Sequence, residues 1–206
     1  MCSVIGVLCD SSGSMEEMNP KETTQSLNNS IKDMGNDETV IFAARFSDTY
    51  NLFIDGTLKP QVTITEEDIK PDGMTALYDG IGKFCADIDL RIETIKQSNN
   101  EVNDVFIIIL TDGFENCSRE YSKALIKKIL TQKEKQNWKF VFLGANQDAI
   151  MVGKDIGLSR GQCCTFNSNS DSLNTALKSV GAAYTRSQEP DECFEFSQQE
   201  RESCII

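Results

Sequence analysis

Val4-Ile5-Gly6-Val7-Leu8-Cys9, followed directly by Asp10-Ser11-Ser12-Gly13-Ser14, is the stretch on which the reading of this chain turns. Six residues without a charge, bounded by a polar turn, predict a short strand buried on both faces. The turn puts Asp10, Ser12 and Ser14 two residues apart. In extended backbone such side chains point the same way, so one carboxylate and two hydroxyls converge beyond the strand's carboxyl end. Gly13 lets the backbone come close to whatever they hold.

Outward from that strand, elements alternate. Leu27, Ile31 and Met34 recur at helical spacing. Val40–Phe46 and Tyr50–Ile54 predict two strands joined by the tight Ser47-Asp48-Thr49 connection, a hairpin. After Pro71-Asp72-Gly73, a turn, a long helix is expected from Thr75, with Leu77, Ile81, Phe84, Ile88, Ile92 and Ile95 as one apolar stripe. Val105–Leu110 predicts a central parallel strand. It is followed by a helix over Ser118–Lys135, on which the charges at Lys127-Lys128 and Lys133 to Lys135 read as a solvated face, then a strand over Lys139–Leu143, a helix over Asp148–Ile156 and a short strand over Gln162–Phe166. Leu173, Leu177, Val180 and Tyr184 mark a last helix. Strands alternating with helices imply an α/β, doubly wound sheet with right-handed crossovers, and the hairpin implies one antiparallel edge strand.

Composition narrows the function. The chain has 206 residues, formal net charge -12 and no histidine. An acidic field repels phosphate backbones, which argues against nucleic-acid partners. Without histidine there is no Ser-His-Asp or Cys-His catalysis and no His-ligated metal, so a metal here takes oxygen ligands. The strongest apolar run, Val105–Leu110, is too short for a bilayer, and no membrane partner is expected. The start of the chain carries no secretory pattern, which predicts a cytoplasmic, reducing setting with the eight cysteines free. Cys9 in a strand and Cys85 on a helix's apolar face fit small hydrophobes. Cys163-Cys164 are too close in sequence for an ordinary zinc pair, and Cys204 stands third from the end, off the prenylation pattern.

Two further pieces join the first loop. Thr75 lies in Asp72-Gly73-Met74-Thr75-Ala76-Leu77, where a loop becomes a helix, and Asp112 lies in Leu110-Thr111-Asp112-Gly113, at the end of the central strand. Ligand sites of open α/β sheets lie outside the carboxyl ends of strands, where strand order reverses. If the first and central strands are neighbours, Asp10 and Asp112 face each other there. Two carboxylates and three hydroxyls form an oxygen donor set suited to Mg²⁺ or Mn²⁺. Two carboxylates only neutralise the cation, and a carboxylate from another chain fits an open position. Thr75 as a helix cap, and Asp10 and Asp112 as turn caps, are the plainer alternatives.

This constellation resembles the metal-ion-dependent adhesion site of the von Willebrand factor A family: Asp10-x-Ser12-x-Ser14, then Thr75, then Asp112-Gly113. Arg45-Phe46-Ser47-Asp48, Gly73-Met74-Thr75-Ala76-Leu77-Tyr78-Asp79 and Thr111-Asp112-Gly113-Phe114-Glu115-Asn116 extend the likeness, and Phe142-Leu143-Gly144-Ala145-Asn146 is similar to a stretch of microbial and viral members. The resemblance implies a three-layer fold with a six-stranded, mostly parallel sheet, and a domain over residues 1–186. It further implies that Ser12, Ser14 and Thr75 coordinate the cation, with Asp10 and Asp112 acting largely through water. The implied function is a metal-dependent protein-interaction module, not an enzyme, whose partner presents an Asp or Glu; no small-molecule substrate is expected. Asp79, Glu115 and Asn116 are candidates for orienting a ligand or shaping the partner surface, against plainer readings as helix-start and loop residues.

Two rivals stand beside it. A phosphoesterase of haloacid dehalogenase type also ends its first strand in Asp, but needs Asp where Ser12 stands. A structural or assembly subunit would keep the site without using metal. Residues 187–206 fall outside the resemblance and are expected to be a partly ordered acidic tail, carrying Glu189, Asp191, Glu192, Glu195, Glu200 and Glu202 against Arg201. A tail carboxylate reaching the cation's open position is the sharper expectation, and a solvated tail that aids solubility the plainer one.

Overall fold

A computed structural model describes residues 2–97, 101–146, 148–189 and 193–205. Six strands form one sheet: β1 (Cys2–Asp10), β2 (Val40–Phe46), β3 (Tyr50–Leu58), β4 (Val102–Thr111), β5 (Trp138–Ala145) and β6 (Cys163–Phe166), in the order β3-β2-β1-β4-β5-β6. All pairings are parallel except β2 with β3, which is antiparallel at the edge. Strand order reverses between β1 and β4, so the crevice expected from sequence lies at their carboxyl ends. Cys9 pairs with Leu110, which sets Asp10 beside Thr111.

Alternation along β4 divides the core. Phe106, Ile108 and Leu110 pack on one side under α1 (Pro20–Asp33) and α5 (Ser170–Arg186). Val105, Ile107 and Ile109 pack on the other, under α2 (Leu77–Gln97), α3 (Lys123–Glu134) and α4 (Ala149–Asp155). Local chemistry sets the helix starts. Asn19 accepts from the Lys21 amide with Pro20 opening α1, Ser122 caps α3, Asp148 caps α4 and Asn169 caps α5. Among the described residues, no helix is long and apolar enough to cross a membrane.

Three expectations change. The helix expected over Ser118–Lys135 begins at Lys123, because the backbone of residues 119–121 is held by Asp79. Lys133, read as part of a solvated face, is only 9% exposed; it pairs with Asp89 and lies 4.7 Å from the centroid of the Trp138 ring. The third concerns the tail. After α5 the chain returns to the sheet, burying Phe194, Phe196 and Cys204, and forms α6 (Gln198–Ser203) with a Ser197–Glu200 capping box. Phe194 packs 5.1 Å, ring to ring, from Phe106 in β4. Two phenylalanines among the acids supply the apolar area that an overall polar composition hides. Asp191 and Glu192 lie outside the described residues.

Candidate functional site

β1 delivers Asp10 fully buried at the crevice. Its Oδ1 accepts the Ser12 amide at 2.7 Å and its Oδ2 accepts the Thr111 hydroxyl at 2.5 Å. Burial pushes this carboxyl up to about 6, with the Asp112 charge adding to the rise and the Thr111 and Ser12 hydrogen bonds opposing it. Ser12 is buried too, and its hydroxyl lies 3.1 Å from that of Ser14, which is exposed. Ser14 in turn donates to Asp112 Oδ1 at 2.7 Å. Asp112 is half-buried; burial also raises its carboxyl, assisted by Glu17 and opposed by Ser14. Hydrogen bonds through Asp10, the Ser12 amide and hydroxyl, Ser14 and Asp112 therefore run in a connected path from the floor of the crevice to its mouth.

Thr75 reaches this path from a second loop. It stands just before α2 and is 3% exposed. Its amide donates to Asn116 Oδ1 at 3.0 Å while its carbonyl accepts the Asn116 amide at 3.0 Å. A Cβ on Gly113 would meet the Thr75 Oγ1 at 2.8 Å and Asp10 Oδ2 at 3.6 Å, so only glycine lets the β4 loop lie against both. Further backbone bonds staple the loops: Gly13 amide to Gly73 carbonyl at 3.0 Å, Asp72 amide to Ser11 carbonyl at 2.7 Å and Ala76 amide to Ser47 carbonyl at 2.8 Å. Gly73 holds φ +75° there, against the Asp48 side chain.

The five residues expected to meet, Asp10, Ser12, Ser14, Thr75 and Asp112, thus lie on three adjoining loops at the carboxyl edge. Of the flanking candidates, Asn116 touches one of them. Asp79 is engaged elsewhere: its carboxylate accepts the amides of Arg119, Glu120 and Tyr121 at 2.8–3.0 Å. Glu115 accepts from the Tyr78 amide at 3.0 Å and from the Ser118 amide and hydroxyl at 2.7 Å. Both organise the loop between β4 and α3, and Glu115 also ties it to the start of α2. Thr111 was missed by the sequence reading. Its signal was a hydroxyl at the end of an otherwise apolar strand, in register with Asp10. Two large apolar side chains stand out beside the site, Met74 at 50% and Phe114 at 57% exposure.

Described residues of the tail point elsewhere. Glu200 pairs with Arg186 on α5, and Glu202 accepts from Gln198 within α6. The expectation that a tail carboxylate serves the site finds no support in these contacts, because both acids are tied to helices on the α5 side.

No family model and no curated protein match the chain. Solved structures do. One of proximal thread matrix protein 1 from the mussel byssus, described with a zinc-occupied MIDAS motif, has a TM-score of 0.64 at 21% identity, over 87% of this chain and 44% of that one. The vWF domain of the type V pili tip protein Mfa5 from Porphyromonas gingivalis gives 0.66 at 10% identity, over 93% and 97%. A von Willebrand factor type A structure from Catenulispora acidiphila gives 0.65 at 14%, over 89% and 43%. The chain spans less than half the length of the byssus proteins it matches. With its six-stranded sheet, its single antiparallel edge strand and helices on both faces, the chain has the fold of von Willebrand factor A domains.

Proposed function

We propose that this protein is a divalent-cation-dependent interaction module, holding Mg²⁺ or Mn²⁺ through Asp10, Ser12, Ser14, Thr75 and Asp112 and gripping an Asp or Glu of a partner protein. The observation that carries the reading is the hydrogen-bonded path from Asp10 through the Ser12 amide and hydroxyl and Ser14 to Asp112, with Thr75 alongside. The donor chemistry fits a hard cation: two carboxylates and three hydroxyls, without nitrogen or sulfur. Among the described residues, no three His, Cys, Asp or Glu side chains group into a metal site, so acid alone does not make one. A bound cation would supply positive charge with a position open to an anionic oxygen.

The chain's own residues set the direction of that opening. Asp10 and Ser12 are buried, Asp112 is half-buried and Ser14 is exposed, so the site widens toward solvent. Met74 and Phe114 sit on the loops that carry Thr75 and Asp112, and give a partner apolar area beside its carboxylate. The zinc-occupied motif of the byssus protein lends support by likeness of fold.

Phosphoester hydrolysis is disfavoured by the position of Ser12, whose hydroxyl stands where a general-acid carboxylate is required. We likewise propose an intracellular, reducing setting, on the strength of eight free cysteines, five of them buried. The test is calorimetry with Mg²⁺, Mn²⁺ and Zn²⁺ on wild type and Asp112→Asn, then binding of immobilised peptides bearing Asp or Glu, or Asn or Gln instead. Cation binding lost in the variant, and peptide capture that needs both carboxylate and cation, are expected. Peptide capture unchanged by chelator would leave a metal-independent assembly subunit as the reading.

A further inference from the structure

Beside the candidate cation site lies a cavity of about 280 Å³, between the β2–β3 turn, the start of α2 and the loop before α3. The two places share a wall, the loop that enters α2. Thr75 on that loop is buried at the cation site, while Met74 and Ala76, on either side of it, line the cavity. A side chain on Gly73 would strike the Asp48 carboxylate, so this carboxylate, which also lines the cavity, lies against the same loop. The Gly73 carbonyl in turn accepts the amide of Gly13, from between Ser12 and Ser14, at 3.0 Å. A peptide with one residue at the cation therefore has its neighbouring residues beside the cavity.

Charge in the lining is unevenly spent. Three acids, Asp48, Asp79 and Glu120, face two bases, Lys83 and Arg119. Lys83 pairs with Glu120 at 2.7 Å, which offsets both. Asp79 holds three backbone amides, which are neutral donors. Asp48 is exposed, and among the described residues its carboxylate accepts one hydrogen bond, from the Ser47 hydroxyl at 3.3 Å. Arg119, also exposed, is the remaining cation, so acid exceeds base. The field has that sign at Cys117 in the same lining. Burial raises its thiol, Glu115, Asp48 and Asp79 raise it further, and Arg119 alone opposes them.

We infer that this cavity is a second recognition site for the same partner, taking a Lys or Arg that stands next to the carboxylate anchor. Its aliphatic stem lies along Met74, which is half exposed, and its charged head turns toward Asp48. The partner segment thus pairs an acid for the cation with a base for the cavity. The whole chain carries a formal net charge of -12, which repels an acidic segment on approach, and a base beside the anchor offsets that repulsion. This inference rests on the cation-dependent grip already proposed and names the chemistry of the segment gripped.

The test measures capture by immobilised peptides of one length in Mg²⁺, each with a single Asp flanked on both sides by Lys, by Gln or by Glu. Wild type should bind the Lys peptide about three- to fivefold more tightly than the Gln peptide, and the Glu peptide more weakly than either. Asp48→Asn keeps the shape against Gly73; it should bind the cation as wild type does in calorimetry and lose the preference for Lys. Arg119→Gln, which leaves the backbone bond to Asp79 in place, should widen that preference. Equal capture of the Lys and Gln peptides by wild type, with chelator still releasing both, would overturn the inference and leave the cation-dependent grip standing. An undiminished Lys preference in Asp48→Asn would overturn it as well, because general attraction to an acidic protein would then explain the effect. No capture of any of these peptides in Mg²⁺ would remove the grip and this inference together.

Discussion

Ser14 donates its hydroxyl to Asp112 at 2.7 Å across 98 positions of sequence, tying the loop after β1 to the loop after β4. The sheet makes that bond available. β1 and β4 are parallel neighbours, so their loops leave the same edge, and register sets Asp10 beside Thr111. A hydroxyl on one loop and a carboxylate on the other then need only short turns to meet. Such a bond links two oxygens that are both suited to a cation, and holds them together in its absence.

The first expected outcome concerns that set as a unit. Wild type should bind one divalent cation, and Asp10→Asn or Asp112→Asn should lower the affinity at least about a hundredfold, in calorimetry. Thermal unfolding without metal should show both variants folded. For Asp10→Asn this follows from burial: its carboxyl is already pushed up to about 6, so the neutral amide is accommodated. Full cation affinity in either variant would sink the assignment.

Asn116 makes a sharper case because its recorded bonds are to the backbone of Thr75, on either side of that residue. Asn116→Ala should weaken cation binding about 10- to 100-fold with little loss of stability, since it removes the acceptor of the Thr75 amide while the Asn116 backbone bond to the Thr75 carbonyl remains. Asn116→Asp should restore part of it, because a carboxylate oxygen still accepts the Thr75 amide. Unchanged affinity in Asn116→Ala would show that Thr75 is placed by the other staples alone.

Most of the fold was legible because its signals are local and periodic. The double-faced apolar run at Val4–Cys9, the stripe down α2 and the alternation of elements all depend on near neighbours in sequence. That the five candidate residues come to one edge was legible because strand ends are: Asp10 ends β1, Asp112 directly follows β4 and Thr75 stands just before α2. What escaped depends on distant pairing. That Asp79 holds the amides of residues 119–121, or that Thr111 holds Asp10, follows from register between elements. The tail was misread for a different reason: Phe194 buries itself on Phe106, with Phe196 packed against Phe194, and no local pattern in an acid-rich stretch announces that partner.

Thiol chemistry separates the cysteines by burial. Burial pushes Cys9, Cys85 and Cys163 up to about 12, so each stays a protonated thiol at pH 8. Native alkylation followed by peptide mass mapping should modify exposed Cys193 first and leave those three intact until denaturant is added. Rapid native labelling of Cys85 would show that the layer under α2 opens far more readily than its packing implies.

Acid should loosen the C-terminal segment in a defined window. Burial raises the Glu200 carboxyl, but Arg186 and Ser197 outweigh it and hold the group below its ordinary 4.5. A depressed carboxyl stabilises the folded state above its unfolded value and loses that contribution as pH falls through the folded one. Protection of the segment from protease should therefore be flat above about pH 5 and decline below about pH 4.5. Arg186→Met should be less protected at neutral pH and lack the extra acid-dependent step. An identical pH profile in wild type and variant would remove this pair from the account.

Phe194 decides whether the segment is part of the domain. It is 6% exposed, packs on Phe106 and Phe196, and shares its side of the sheet with Tyr184. Phe194→Ala removes an aromatic ring from a packed layer and should cost about 3 kcal/mol in denaturant unfolding. Deleting residues 187–206 should cost at least as much and expose the α5 side of the sheet, seen as binding of a hydrophobic dye. A freely solvated acidic tail predicts the reverse: no change in unfolding midpoint, and an effect confined to cation-dependent partner binding. The two outcomes are read from one truncated protein, with unfolding monitored in chelator so that cation occupancy does not enter. A midpoint that stays put after truncation would mean the aromatic contacts contribute nothing net, and would return residues 187–206 to the status of a tail.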